Sequence, residues 1–510
     1  MQDRPARFVA HALVDRLWIA QILHRAATHE AADSDLHDER LRDLLVDSFN
    51  ARGIALATNG KIEAALGCFE AAVAAHPTHA ASLSNRANSL HLLGHIDAAL
   101  ASNDQAVAAD PLHLDALFNR GLILFELGRF EEALACCDRV LALRPDHAPA
   151  LGNRGATLQV LGRIDEAIAS FEHAQVLRPD DRMHRFNESL ARLAAGDYAE
   201  GWQRYEARWG TPLHPARRTF AQPQWHGEDV PSDRTILLHA EQGYGDTLQF
   251  CRYVPLVARR THVVLEVSAP LRHLMASLPG DPSIITEGEP LPHFDLHCPL
   301  LSLPLAFGTT LATIPAQIPY LQADRRLAAR WRERLSSLPG IKIGLVWAGD
   351  SGRALPDARS RDRRRSIPLS CFAPLARHAR LGAAPEISFV SLQKGSAAMQ
   401  AADPPPGLVL HDWTAALNDF ADTAALVEAL DLVVSADTAV AHLAGALGKP
   451  VWVLNRYDAC WRWLRDRTDS PWYPTARLFR QTRHGDWDPV IAEVVVALAA
   501  FRASPTGAAG

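Results

Sequence analysis

One period governs the first two hundred residues. Pro77, Pro111, Pro145 and Pro179 stand 34 apart, as do Gly60, Gly94, Gly128, Gly162 and Gly196, and Ala65, Ala99, Ala133 and Ala167. Leu66, Leu100, Leu134 and Ile168 follow the alanines. Self-similarity at such a step marks a stack of small units, each burying an apolar face against the next. Within a unit the glycine ends a first helix and turns the chain. The small alanine lets the paired helices approach closely, and the proline stops the second helix. The expectation is an α superhelix of four two-helix repeats over residues 46–181, with a degenerate fifth over 182–210, where Gly201 and Tyr205 take the alanine and aromatic places. Residues 1–45 are expected to add capping helices.

The period and its Gly, Ala, Phe and Pro places resemble the tetratricopeptide repeat. Phe69 and Phe171 fill the aromatic place, while Asn103 and Cys137 depart from it. A further column shares the step: Asn85, Asn119, Asn153 and Asn187, with Arg86, Arg120 and Arg154 after the first three. These asparagines sit on the first helix of each repeat, on the face that lines the concave groove in this repeat family. An Asn amide offers one acceptor and two donors, enough to hold a passing peptide backbone whatever its sequence. The column resembles the asparagine ladder of the O-GlcNAc transferases, which implies a protein or peptide acceptor. The alternative is that each Asn caps or braces a neighbouring repeat. The first repeat departs, with Ala51 at that place.

Composition supplies exclusions. With 52 basic and 58 acidic residues the net charge is −6, so no overall electrostatic case exists for nucleic acid or an anionic membrane. The 510 residues are 48% hydrophobic and 22% charged, too balanced for a disordered chain and too many for one compact domain. The apolar stretch 8–23 is interrupted by His11, Asp15 and Arg16, which speaks against a signal-peptide core or a membrane span. Seven cysteines without CxxC or zinc spacing point to reduced, mostly buried thiols and a cytoplasmic setting.

After Gly210 the texture changes. Residues 211–234 are rich in Pro, Arg and polar side chains and read as a linker. Short apolar runs then alternate with helical patterns, the signature of parallel α/β units. Strands are expected at Thr235–His239, His262–Val267, Ser283–Thr286 and Phe294–Cys298 in a first lobe spanning 235–325. A second lobe, 326–502, has expected strands at Lys342–Trp347, Ile387–Leu392, Leu408–His411, Leu432–Ser435, Pro450–Leu454 and Arg477–Arg480. Asp324–Leu338 reads as a connecting helix. Pro489–Arg502 reads as a closing helix capped by Asp488, and 503–510 as a disordered tail.

Ligands of such sheets sit beyond the carboxyl ends of the strands, between two doubly wound lobes. Four segments fall there. In Glu241–Thr247, Gly243 and Gly245 permit a tight turn and close approach of a ligand to the backbone. Asp246 is placed to take a proton from an attacking hydroxyl, or only to cap the helix that follows. In Ser435–His442, the N–H groups near Thr438 and Ala439 open a helix and suit a diphosphate. Asp437 there would orient the loop or accept from a ribose hydroxyl, and His442 lies one turn on or packs beneath. The basic run Arg359–Arg365 carries Arg364 and Arg365, guanidinium groups suited to phosphate oxygens, though such a run is also an ordinary solvated surface. In Ser391–Gly395, Gln393 precedes Lys394, a point charge for a leaving diphosphate or a plain turn lysine.

Glu241–Gln249, Gly344–Gly349, Arg364–Pro368, Ser391–Gly395, Asp419–Thr423, Ser435–Pro450 and Ser470–Gln481 together resemble the heptosyltransferase-like glycosyltransferases of the GT-B fold, especially bacterial members joined to tetratricopeptide repeats. The resemblance covers residues 235–485. It implies two Rossmann-like lobes, an inverting mechanism without a metal or other cofactor, and a nucleotide-sugar donor bound mainly in the second lobe. It makes Asp246 the candidate base, Arg364 or Arg365 the donor-phosphate contact, and Thr438 and Ala439 the phosphate loop. The chain departs from the pattern where that basic residue is often Lys, and in the shortness of its first lobe. Neither Asp33-Ser34-Asp35 nor Asp486-Trp487-Asp488 follows a strand at the cleft, so no metal is assigned. The expected activity is sugar transfer to a hydroxyl of a protein, such as a flagellin or another surface protein. The rivals are a glycan or lipid-linked sugar transferase using the repeats for assembly, and a repeat scaffold whose catalysis has lapsed.

Overall fold

The computed structural model describes residues 34–211, 217–349, 362–376 and 386–503. The expected tail beyond 503 and residues 1–33 of the expected capping region lie outside these. Contacts divide the chain into two compact units, Met1–Leu161 with His173–Pro179, and Gly162–Glu172 with Asp180–Gly510.

The first unit is built of helical hairpins. Ser34–Thr58 pairs with Ile62–Ala75, Ala80–Leu92 with Ile96–Ala109, and Leu114–Glu126 with Phe130–Leu143; Ala148–Val160 follows. The expected border at residue 45 falls inside one continuous helix, Ser34–Thr58. Gly60, Gly94 and Gly128 close the first helices at φ +73°, +83° and +79°, a left-handed turn that strains any side chain with a Cβ. Ala65, Ala99 and Ala133 are buried where the paired helices meet.

A second column of caps runs through the array at the same step. The Nδ1 atoms of His79, His113 and His147 accept the backbone N–H of Ser82, Ala116 and Ala150 at 3.3, 3.2 and 3.1 Å. A backbone N–H can only donate, so each Nδ1 must be unprotonated. Asp181 takes the same place one period on and accepts from Met183 N–H at 2.9 Å. Burial, with the nearby His76 and Arg144 respectively, lowers the proton affinity of His79 and His147. A histidine held neutral in the fold stabilises it fully above its free pKa of about 6.5. That contribution is lost as the pH falls below this value, since protonation removes the acceptor and places a positive charge at a helix N-terminus. The melting temperature of the repeats is therefore expected to drop between pH 7.5 and 5. Replacing His79 and His147 by Asn, a pH-indifferent cap worth about 1 kcal/mol, should flatten the profile. Parallel melting curves for both proteins across that range would contradict the assignment.

The second unit contains the last hairpin, Arg182–Ala195 with Tyr198–Tyr205, and two parallel sheets. The first sheet has strands β1 Thr235–His239, β2 His262–Val267, β3 Ser283–Thr286 and β4 Leu296–Pro299, ordered β3-β2-β1-β4. The second has β5 Ile341–Val346, β6 Ile387–Ser391, β7 Leu410–Asp412, β8 Leu432–Ala436, β9 Val451–Asn455 and β10 Ala476–Arg480, ordered β7-β6-β5-β8-β9-β10. Every pairing between these strands is parallel. Each sheet winds outward from its first strand in both directions. Each therefore has a switch point, between β1 and β4 and between β5 and β8, where the connections part. The helix Arg325–Leu335, capped by the Asp324 carboxylate, connects the two, and Asp488–Ala503 packs on the outer face of the second sheet.

Two expected boundaries need correction. Residues 217–234 are not a free linker. Trp225 is buried, and its N–H donates to His297 O at 2.8 Å while His297 N–H donates to Pro223 O at 3.1 Å, so the segment runs alongside β4. Phe220 packs against His239, Phe294 and His297. Nor does the repeat region end as a separate body at 210. One buried cluster includes Phe186, Tyr198, Trp202 and Tyr205 together with Phe250, Trp461 and Trp472 of the α/β region. The apolar face of a terminal repeat needs a cover, and here the sheets supply it. No helix among the described residues is long and apolar enough to cross a membrane.

Candidate functional site

The loop after β1 is anchored before it does anything else. The Glu241 side chain is buried and held bidentate by Arg208, Nε to Oε2 at 3.1 Å and Nη2 to Oε1 at 2.9 Å. Burial raises the proton affinity of Glu241, and the Arg208 guanidinium opposes the rise. Gln242 donates to the Tyr205 hydroxyl at 3.1 Å. Both partners belong to the last repeat segment. With its first two residues fixed, the loop turns at Gly243 into the helix Tyr244–Phe250.

Asp246 accepts the Gly243 N–H at 2.9 Å through Oδ2, the capping role considered from sequence. Its Oδ1 takes a short hydrogen bond from Arg462 Nη2, contributed by the segment after β9. About a fifth of the Asp246 side chain stays exposed. Gly245 touches the second sheet: a Cβ there would lie 3.0 Å from His442 Cδ2 and 3.5 Å from Ala439 Cα. That approach leaves little room for a side chain, and it brings the first-sheet loop to the N-terminus of the helix Ala439–Ala446. Asp246, Gly245 and the Thr438–Ala439 helix start are thus neighbours at the carboxyl ends of β1 and β8.

Thr438 caps that helix in extended conformation, and its hydroxyl lies 3.1 Å from Ser435 Oγ. The first N–H groups of any helix have no partner within it and carry the positive end of the dipole. His442 packs beneath the loop. Its Nδ1 is 2.9 Å from the Tyr473 hydroxyl, its ring stacks on Trp463, and Asp437 is 3.9 Å from Nε2. Burial, against the pull of Asp437, lowers its pKa to about 4, so it is neutral at neutral pH.

The expected cations have internal partners. Arg365 binds Asp362 at 2.7 Å and donates to Asp437 O at 3.0 Å, tying the loop after β5 to the loop after β8. Arg364 pairs with Asp458 at 3.2 Å. Arg359 lies outside the described residues. Lys394 Nζ donates to Thr414 O and Leu417 O at 3.0 and 2.9 Å. Gln393 is buried and holds the β5 and β6 loops together: Oε1 accepts Trp347 N–H and Ala348 N–H at 3.0 and 2.8 Å, and Nε2 donates to Ala348 O and Lys394 O at 3.0 and 2.8 Å. The structure makes Gln393 a strut rather than a free ligand contact.

Sequence reasoning passed over Arg462 and Arg208, which hold the glycine loop from opposite sides. It also passed over Arg252, buried among Tyr320, Trp472 and Tyr473 and donating to Trp472 O at 2.7 Å. The one available signal was an arginine between two tryptophans at 461–463. In the repeats, Asn85 donates to Asn50 Oδ1 at 3.4 Å and Asn119 to Ser84 Oγ at 3.2 Å, each reaching back one repeat. Asn50 lies one period before Ser84 and takes the same accepting role. Asn85, Asn119, Asn153 and Asn187 are all half-buried, and Asn187 belongs to the second unit.

Family models described as the tetratricopeptide repeat match residues 50–110, 114–147 and 148–181. These are tetratricopeptide repeats. Beyond them, the chain is 30% identical over 353 residues to protein FlbA of Caulobacter vibrioides, covering 63% of this chain and 56% of FlbA. The chain therefore spans a little over half the length of that curated relative, and a match so long necessarily runs past the tetratricopeptide repeats into the α/β region. Among solved structures, pilF of Pseudomonas aeruginosa is 21% identical, with 32% of this chain and 76% of pilF covered at a TM-score of 0.31. TTC0263, a TPR protein of Thermus thermophilus, is 26% identical, with 32% of this chain and 88% of that protein covered at a TM-score of 0.28.

Proposed function

We propose that this chain is an inverting, metal-independent glycosyltransferase of GT-B architecture that moves a sugar from a nucleotide-sugar donor to a hydroxyl of a protein held by the tetratricopeptide repeats. The observation that carries the reading is the meeting of the Gly243–Asp246 loop, at the switch point of one parallel sheet, with the helix N-terminus at Thr438–Ala439, at the switch point of the other. A diphosphate at that helix start would sit on partial positive charge. A donor sugar beyond it would lie within reach of a carboxylate fixed on the facing loop. The first sheet would carry the base, and the second the donor. Arg364, Arg365 and Lys394 add positive charge at the same end of the second sheet, available to the diphosphate once their internal partners yield.

A second reading has its own observation. Asn85 and Asn119 each direct an amide donor to the preceding repeat, which favours bracing over peptide capture and hence a glycan or lipid-linked acceptor. The four ladder asparagines replaced together by Ala decide between the two. Peptide capture predicts loss of transfer to a protein acceptor with donor hydrolysis intact. Bracing predicts unchanged transfer and a lower melting temperature, because each lost inter-repeat bond costs about 1 kcal/mol.

A further inference from the structure

The residue that holds Asp246 comes from the other sheet. Arg462 gives Nη2 to Asp246 Oδ1, Nε to Gln249 Oε1 at 2.7 Å and Nη1 to Cys460 Sγ at 3.1 Å. Its guanidinium lies 4.4 Å from the ring centroid of Trp461, and its side chain is 11% exposed. Gln249 is itself fully buried on the helix that begins with the glycine loop. The guanidinium is therefore fixed on three edges and one face. It leaves Asp246 a single orientation, set by Gly243 N–H at one oxygen and by Arg462 at the other.

We propose that Arg462 is the positioning residue of the candidate base, orienting the Asp246 carboxylate across the two sheets. The inference rests on the glycosyltransferase reading and deepens it. In the step concerned, the acceptor oxygen bonds to the anomeric carbon as its proton passes to Asp246. The bond from that carbon to the phosphate oxygen breaks, and the nucleoside diphosphate leaves with the electron pair. A rotation of the carboxylate would spoil the proton transfer without weakening donor binding, so Arg462 acts on turnover rather than on affinity. The other titratable or charged groups facing the pair include Tyr198 and Tyr205 from the last repeat helix, with Arg208 and Glu241 behind the latter, Cys460 on the same segment, Tyr473, and His442 with Asp437 beside the second sheet.

The experiment uses the full chain and a nucleotide-sugar panel, comparing wild type with D246N, R462M and R462K. R462M is expected to lower kcat about 100-fold with donor KM little changed. R462K keeps the charge but not the fork. It should restore an intermediate kcat, again with donor KM little changed. Wild-type kcat in folded R462M, or a loss that falls on donor KM instead, overturns the proposal alone, and so does wild-type kcat of R462K should R462M fail to fold. Turnover retained by D246N, or absent from the wild type across the panel, overturns the reading beneath it as well.

Discussion

A chain that begins at Gly162 is expected to fold, and a chain that begins after Thr211 is not. The difference is the helix Ile164–Leu177 and the last hairpin, and the hairpin by period belongs to the tetratricopeptide repeats and by contact to the α/β unit. Removing it strips Arg208 from Glu241, and an unpaired buried charge of this kind costs about 3–5 kcal/mol. It also removes Tyr198, Trp202 and Tyr205, all buried against Phe250, Trp461 and Trp472, and the Tyr198 hydroxyl that Trp472 Nε1 reaches at 3.0 Å. Loss of one such aromatic side chain costs about 3–5 kcal/mol. Together these losses match or exceed the roughly 5–15 kcal/mol that holds a typical domain folded. Thermal denaturation followed by circular dichroism checks this. The longer chain should melt in one cooperative transition and the shorter should show none. A cooperative transition in the shorter chain within a few degrees of the longer would contradict the account of the hairpin.

Asp246→Asn is expected to reduce sugar transfer by about 100-fold or more, the usual contribution of a positioned general base, while donor affinity stays within a few-fold of wild type. The substitution is nearly isosteric. It keeps an acceptor for Gly243 N–H, and it loses the charge that Arg462 faces. Some loss of stability is therefore expected alongside the loss of rate, and single-turnover rates at saturating donor separate the two. A variant that binds donor, melts a few degrees lower and still turns over at the wild-type rate would reduce Asp246 to the cap that its bond to Gly243 already makes it.

Much of the fold was legible because it is written in local pattern. All ten strands fall within two residues of their expected ends, since strands of parallel sheets are buried on both faces and read as unbroken runs such as Ile387–Ser391 and Leu432–Ala436. The helical repeats announce themselves through Gly60, Pro77 and their equivalents. The histidine caps were equally periodic but were passed over, because histidine is not among the usual cap residues. What could not be read are the long-range partnerships. Gln393 takes its role from the backbone of Trp347 and Ala348, 46 and 45 residues away. Arg462 meets Asp246 across 216 residues. Asp362 stands in the basic run itself, three residues before the Arg365 it binds, whereas Asp458, the partner of Arg364, is brought there only by the fold. The linker was misread for a related reason: a Pro- and Arg-rich composition says nothing of the Trp225 that pins it to β4.

The most direct measurement is calorimetric titration of UDP, GDP, ADP and CDP into the full chain with a chelator present, repeated with Ala439→Asp. An acid in the first turn suits the helix dipole, so this variant should fold, while its charge would stand where the diphosphate belongs. The expected result is one nucleoside diphosphate bound per chain without added metal and no binding to the variant. No binding by the wild type, or equal binding by both, would contradict a donor diphosphate held at the Thr438–Ala439 helix start.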